Sequence, residues 1–508
     1  AYAQYHDNGW NSVPFPEEIG GQGLPWALAY AVQEMWQSAN MSFGLCPMLN
    51  QSAVEALEIH GSEEQKSLYL EKMVTGEWTG TMNLTEPQSG SDLADLKTMA
   101  VRQDDGSYKI TGQKIYITYG EHDFAENIIH MVLARTPEAP DGVKGISLFL
   151  VPKFIPDDDG NTGTRNDLKC TGIEHKLGIH ASPTCTMQFG DQGGATGWLV
   201  GEECEGLKLM FTMMNNARLA VGLQGVAIGE RAFQHALAYA RDRVQGTSLT
   251  GESDGKVAII EHPDIRRMLL DMKATTEAGR TLAYEAAAAL DKANEGDNQA
   301  AAYMDLLTPI VKAWCTDEAV RTTSKGIQVH GGMGYVEETG AAQYYRDARI
   351  LPIYEGTNGI QANDLVFRKI IRDEGKTMGD YINNATRLVD ELEDRELKDL
   401  HTALNTAIEK LTLATDHILA FGKEKKHAHA AAVAKPYLRL FGATAAGGMM
   451  ARAHMAALEL KDTGADDPYY ADKILTTRYF LTKLLPRAMA AFDEIMAPNN
   501  DIMNWRGS

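Results

Sequence analysis

The chain is predicted to be an α+β protein: an N-terminal helical domain, a middle β-sheet domain, a C-terminal helical bundle and an extra C-terminal helical domain. Two observations carry this. Apolar residues recur at three-and-four spacing toward both ends of the chain, whereas in between they fall into short β-rich runs separated by turn pairs. Composition is ordinary globular material, 44% hydrophobic and 23% charged over 508 residues, enough for about three domains with large cores. A β-domain set between helical ones is an α+β layout.

The first predicted domain covers residues 1–77. After the glycine-rich stretch Gly20-Gly21-Gln22-Gly23, residues Ala27, Ala31, Met35 and Trp36 recur at helical spacing, as do Ala53, Leu57, Leu68 and Met73. The chain opens at Ala1 inside what reads as a running domain, so a preceding piece is expected and a targeting segment cannot be assessed. Over residues 78–205 the strands read as Tyr108–Thr111, Gln113–Thr118, Ile128–Ala134 and Ile146–Val151, parted by Asp105-Gly106, Asp141-Gly142 and Asp159-Gly160. Strand alternation puts Tyr116 and Thr118 on one face and Ile115 and Ile117 on the other.

Over residues 206–375 the long periodic runs Leu207–Arg243, Ile265–Asn294 and Met304–His330 predict a bundle. Alanines in Ala283–Leu290 suggest close helix packing, and a polar Gly-rich loop lies between Gln245 and His262. A carboxylate, Glu355, sits on a small-residue turn before an apolar helical run, Ile360–Ile371. In residues 376–508, Leu397, Leu400, Leu404, Ile408, Leu411 and Ile418 form one apolar stripe, with further helices at Ala428–Gly442 and Lys473–Pro498.

Charge and motif spacing exclude several function classes. With 48 basic and 69 acidic residues the net charge is −21, which argues against a basic nucleic-acid face. No apolar run approaches the ~20 residues of a membrane helix. The five cysteines contain no CxxC pair, so buried reduced thiols in a cytosol-like compartment are expected. Fourteen histidines show no HExxH, and no metal site is expected. Gly331-Gly332-Met333-Gly334 follows a helical run rather than a strand, which argues against a Rossmann site.

Four stretches carry chemistry-bearing residues. Thr85-Glu86-Pro87-Gln88-Ser89-Gly90-Ser91-Asp92 is a hydroxyl- and glycine-bearing loop able to aim donors at a polar ligand. In Gly112–Gly120 an aromatic and a hydroxyl lie side by side, which suits a flat heteroaromatic ligand or a cross-strand pair equally. Gln328–Tyr335 places glycines at a helix end, where close backbone approach or a plain C-cap fits. The fourth is the Glu355 turn, where helix N–H groups could meet an anion.

Taken together, in this order and spacing, the four stretches resemble the acyl-CoA dehydrogenase family over about Gly9 to Arg368. Residues beyond Lys376 resemble the additional helical domain of its larger branches. The resemblance implies FAD between the β-domain and the C-terminal bundle, completed by a neighbouring subunit, hence a homo-oligomer of at least two subunits. Thr85, Ser91, Tyr116 and Thr118 match flavin contacts, with Tyr116 where many members have Trp. Arg243 matches an arginine reaching a second subunit's FAD, although Val244-Gln245-Gly246 departs from the usual motif. Gln328, Gly331, Gly332, Thr357 and Gly359 match further FAD contacts.

For the acyl-CoA substrate the resemblance implies Asn215, Arg218, Tyr354 and Gly356, Asn215 standing where aspartate is common. Phe367 holds the place of an arginine that comes after the base in many members, and Arg368 is next. Glu355 matches the catalytic base, and the alternative position used in some branches is Ala217 here. A carboxylate in a dry pocket is a base of raised pKa, suited to a thioester α-proton. Hydride would pass to flavin N5, giving a trans-2-enoyl-CoA, with an electron-transfer flavoprotein as acceptor.

Residues Gly172–Cys185 and 213–219 resemble most the branch of large bacterial enzymes that includes 3-methylmercaptopropionyl-CoA dehydrogenase, of dimethylsulfoniopropionate breakdown. Met210, Met213 and Met214 suit a thioether-lined pocket or a core. The alternatives are a medium- or long-chain fatty acyl-CoA dehydrogenase, an acyl-CoA oxidase, or a silent DNA-binding family member. Retained Glu355 and the charge of −21 oppose the last.

Overall fold

Side-chain caps set the starts of two N-terminal helices in this computed structural model, which describes residues 1–157, 159–249, 251, 255–464 and 467–507. After α1 (Tyr2–Asp7) and α2 (Trp26–Ala39), Asn40 accepts from the Phe43 N–H and opens α3 (Met41–His60). Ser62 and Gln65 form a reciprocal capping box that opens α4 (Glu63–Thr75), and Gly76 ends it in the left-handed conformation. By contact density the chain divides into two compact units, Ala1–Ala220 and Val221–Ser508.

Within the first unit the strands are β1 (Trp78–Asn83), β2 (Met99–Arg102), β3 (Tyr108–Thr118), β4 (Asn127–Arg135), β5 (Ile146–Pro152), β6 (Phe154–Pro156), β7 (Thr162–Arg165), β8 (Leu168–Ile173), β9 (Thr184–Phe189) and β10 (Ala195–Val200). Among the described residues eight of them form one sheet in the order β1-β4-β5-β10-β3-β9-β8, with β2 bridging β3 and β4. That bridge closes β4, β5, β10, β3 and β2 into a ring around Ile110, Val132, Phe149, Val151 and Met187. The two predicted strands at 108–111 and 113–118 are one strand. Gly112 carries it past Thr98, whose Oγ1 a Cβ there would meet at 2.4 Å.

The helix α5 (Gly206–Asp242) contains the division between the units. In the second unit β11 (Val244–Thr247) pairs with β12 (Lys256–Ala258), so the stretch read as a polar loop is flanked by a short antiparallel ribbon. Residues 250 and 252–254 of that stretch lie outside the described residues. The bundle continues with α6 (Pro263–Asn294), α7 (Asn298–His330), α8 (Ala341–Ala348) and α9 (Asn358–Asn363). After α9 the helix widens to a π-helix, Asp364–Ile371, which apolar spacing alone did not announce.

The C-terminal helices are α10 (Lys376–Asp394), α11 (Lys398–Lys423), α12 (His427–Asp462), α13 (Pro468–Tyr479), α14 (Leu485–Ala488), α15 (Ala490–Met496) and α16 (Asn500–Asn504). The apolar stripe of α11 is buried at Leu400, Leu404, Ile408, Leu411 and Ile418. Helix α12 runs twenty residues beyond its predicted end at Gly442. There glycine permits contact rather than ending the helix: a Cβ on Gly442 would lie 2.5 Å from Trp314 of α7. The segment 473–498 is broken into pieces, with a second π-helix at Phe480–Leu484. Of the cysteines, Cys46, Cys185 and Cys315 are buried, but Cys170 and Cys204 are only half-buried, contrary to the expectation of five buried thiols.

Candidate active site

In the first unit the Thr85–Asp92 loop is tied to β3 by a buried ion pair. Lys114, 0% exposed, donates to Glu86 Oε1 at 2.8 Å and to the Leu84 carbonyl at 3.0 Å. Glu86 also accepts from the Thr98 hydroxyl at 2.6 Å and from the Lys97 and Thr98 N–H groups at 2.7 and 3.0 Å. Burial acts to raise the Glu86 carboxyl, but the Lys114 ammonium and these donors together bring it down to about 2. Burial pulls the Lys114 ammonium down to about 8 against the attraction of Glu86. The Ile115 N–H then donates to the Thr85 carbonyl at 2.9 Å, setting Thr85 beside the strand that carries Tyr116 and Thr118.

That strand does not alternate as predicted. Its pairing with β9 is irregular between Lys114 and Ile117, and Tyr116 has φ of +60°. Lys114 and Ile117 are therefore both buried, and Ile115 is half-buried instead of sharing the Ile117 face. Tyr116 is 60% exposed, Thr118 is half-buried beside it, Thr85 is half-buried and Ser91 exposed. An exposed aromatic ring can stack on a flat heteroaromatic group, and the Thr118 hydroxyl two residues along the strand can donate to one.

Also in this unit, Asn215 and Arg218 lie one turn apart on α5, with Arg218 Nη1 donating to Asn215 Oδ1 at 3.2 Å. Arg218 is 4% exposed and its guanidinium lies 5.5 Å from the Phe211 ring centre, so it is an interior group. Met210 and Met213 are core residues. Ala217 is buried, with no carboxylate in its place. Close by in sequence, Asn216 accepts from Ser52 at 3.0 Å, and burial raises the neighbouring Glu55 carboxyl to about 8.

In the second unit Tyr354, Glu355, Gly356, Thr357 and Gly359 share one turn. Glu355 is half-buried and has φ of +55°, with Gly356 after it at +82°. A non-glycine residue in this region costs about 1–2 kcal/mol, so the surroundings must hold it. Lys312 of α7, 0% exposed, donates to the Gly356 carbonyl at 2.7 Å and to Asn358 Oδ1 at 2.9 Å. The Asn358 amide donates to the Ala313 carbonyl, the Thr316 hydroxyl and Asp317 Oδ1 at 3.0, 2.9 and 2.8 Å. Gln361 donates to the Glu355 carbonyl at 3.2 Å, and Thr357 caps α9 by accepting from the Ile360 N–H. The Tyr354 hydroxyl donates to Gln224 of α5, and burial pushes that phenol well above its usual range.

Elsewhere in this unit Gln328 is exposed near the end of α7. Side chains added at Gly331 or Gly332 would meet no atom within 4 Å, so this backbone is open to approach. Arg243 is exposed just past α5, with Nη2 3.5 Å from Gln245 Oε1. An exposed guanidinium, an amide and open glycine backbone are groups that suit a diphosphate.

Glu86, Lys114, Lys312, Asn358 and Gln361 were not among the sequence-derived candidates. One signal was available: counting by two from Tyr108 and Ile110 puts Lys114 on the inward face of β3.

Family models for the acyl-CoA dehydrogenase N-terminal, middle and C-terminal domains match residues 1–77, 81–192 and 204–369, and an acetyl-CoA dehydrogenase C-terminal-like model matches residues 376–506. The chain belongs to the acyl-CoA dehydrogenase family of FAD oxidoreductases.

Among individual relatives, it is 48% identical to the 3-methylmercaptopropionyl-CoA dehydrogenase of Ruegeria pomeroyi, covering 99% of this chain and 86% of that one. The solved butyryl-CoA dehydrogenase of Megasphaera elsdenii superposes with a TM-score of 0.60 at 29% identity, covering 72% of this chain and 87% of that one. An acyl-CoA dehydrogenase of Bacillus anthracis complexed with FAD shares the fold over 100% of this chain and 83% of its own, with a TM-score of 0.79 at 23% identity.

Proposed function

We propose that the chain oxidises a short acyl-CoA thioester, 3-methylmercaptopropionyl-CoA, to 3-methylthioacryloyl-CoA, with Glu355 as the base. The observation that carries the chemistry is the Glu355 turn: a half-buried carboxylate on a left-handed residue, held from below by Lys312 and Asn358. The 48% identical Ruegeria pomeroyi relative supports the choice of acyl group.

FAD, when bound, supplies the two-electron acceptor for the hydride that leaves the β-carbon. Thr85, Ser91, Tyr116 and Thr118 would hold its ring and ribityl chain, and Arg243, Gln328, Gly331, Gly332, Thr357 and Gly359 its diphosphate and adenylate. Resemblance to the family supports a site shared between subunits of a homo-oligomer. Glu355 takes the α-proton, and its own backbone N–H donates to the thioester carbonyl, stabilising the enolate that develops. Tyr354 and Gly356 bracket the acyl chain, and Asn215 with Arg218 serves the CoA side. An electron-transfer flavoprotein then accepts the electrons.

Bleaching of bound FAD tests this reading. Reduction should be faster with 3-methylmercaptopropionyl-CoA than with octanoyl-CoA. Preference for octanoyl-CoA would reassign the substrate to fatty acyl chains, and no bleaching with any thioester would overturn the enzymatic reading.

A further inference from the structure

The C-terminal helices lie close to the turn that carries Glu355, and a chain of polar contacts joins them. Asp317 of α7 accepts from the Asn358 amide at 2.8 Å on one oxygen, while its other oxygen pairs with Lys435 of α12. Helix α12 also packs directly on α7, where Gly442 allows Trp314 to sit against its backbone. Lys312 supports the turn as well, reaching both the Gly356 carbonyl and the Asn358 amide oxygen from the middle of α7. The Thr316 hydroxyl, which accepts from Asn358, donates to the Lys312 carbonyl at 2.7 Å. The turn is therefore bolted to α7 by a ring of buried polar groups that closes through Lys312, Asn358 and Thr316, and Lys435 of α12 pairs with half-buried Asp317, a further acceptor of the Asn358 amide.

We propose that Lys312 and Asn358 are positioning residues that fix the backbone of the Glu355 turn, and that the C-terminal helical region completes this clamp through Lys435 and Asp317. The inference rests on the reading of Glu355 as the base. Its physical ground is that left-handed backbone at Glu355 persists only where its surroundings over-determine it. A base displaced by a fraction of an ångström from the α-carbon loses rate without losing substrate affinity.

The test is hydrogen–deuterium exchange of the peptide spanning residues 350–363 in the FAD-loaded protein, for Lys312→Met and Lys435→Met. Exchange should quicken by about tenfold in the first and about threefold in the second as local opening becomes easier. Lys435→Arg should restore the wild-type rate. In parallel, the rate constant for flavin reduction should fall in Lys435→Met while the dissociation constant for the acyl-CoA stays the same, and the isotope effect with α-deuterated substrate should rise. Lys312 is buried, and if its variant does not fold, Lys435→Met decides alone. Wild-type exchange over 350–363 in Lys435→Met would overturn the clamp. Glu355→Gln separates the two readings: it should slow reduction by roughly 10²–10⁴-fold with the turn still protected, and full reduction in this variant would remove the base while the exchange data still judged the clamp.

Discussion

Lys114 in the sheet unit and Lys312 in the helical unit are both fully buried, and each fixes a loop that carries site residues. They do so by different chemistry. Lys114 meets a carboxylate supplied by the loop itself, so two opposite charges share the interior. Lys312 meets a backbone carbonyl and an amide oxygen of the turn. Both lysines grip main chain, Lys114 at the Leu84 carbonyl and Lys312 at the Gly356 carbonyl. Lys114 in addition takes up the loop's own carboxylate in an ion pair, and Glu86 is saturated with donors. Glu355 is the carboxylate proposed as the base, on the turn whose backbone Lys312 holds.

The largest expected effect comes from the proposed base. Glu355→Gln should slow flavin reduction by roughly 10²–10⁴-fold, the range a positioned general base contributes, as measured by stopped-flow bleaching. Glu86→Gln should leave that rate nearly intact, and a comparable loss there would break the distinction between the two regions. Next in size is stability. Lys114→Met strands Glu86 in the interior and should cost about 3–5 kcal/mol in denaturant unfolding. The double variant with Glu86→Leu should recover much of it, whereas two additive losses would sink the ion-pair account.

Acid titration sharpens the same contrast. The Glu86 carboxyl is held below its ordinary 4.5, at about 2, so its contribution is complete above pH 4.5 and disappears as pH falls toward 2. Wild-type protein should lose stability across that window more steeply than Glu86→Gln. The smallest effect has the opposite sign. Glu55 is raised from 4.5 to about 8 by burial, so the unfolded state releases this proton first and stability falls as pH rises from 4.5 to 8. Glu55→Gln should raise the Tm at pH 8 by roughly 2–4 °C and leave it nearly unchanged at pH 4.

The order of helical and sheet regions was legible because periods of 3.6 and 2 differ over long runs. Buried strands such as β5 and the stripe of α11 read directly from apolar residues. Glu355 and Thr85 could be named as candidates because each stands in a short motif. Its supports were hidden because a lysine in an apolar helix or strand looks like a solvated position until its partners, 28 residues away for Glu86 and 44 for Gly356, fold against it. The step in β3 was hidden for a related reason: Tyr116 adopts a left-handed backbone that its residue type does not favour. Gly442 misled in the other direction, since a glycine can mark a helix end or a helix crossing.

The π-helix at Asp364–Ile371 works as a register gauge for the residues C-terminal to Glu355. A π turn holds more residues than an α turn, and each residue of offset turns a helix face by about 100°. With the wider turn, Leu365, Val366 and Ile370 all reach the core, while Arg368 stays exposed and pairs with Asp364 at 3.2 Å. Removing one residue from this stretch would restore ordinary winding and swing the arginine and Ile370 through about a quarter of a revolution. A deletion there would change which face of this segment is buried without touching any residue of the Glu355 turn.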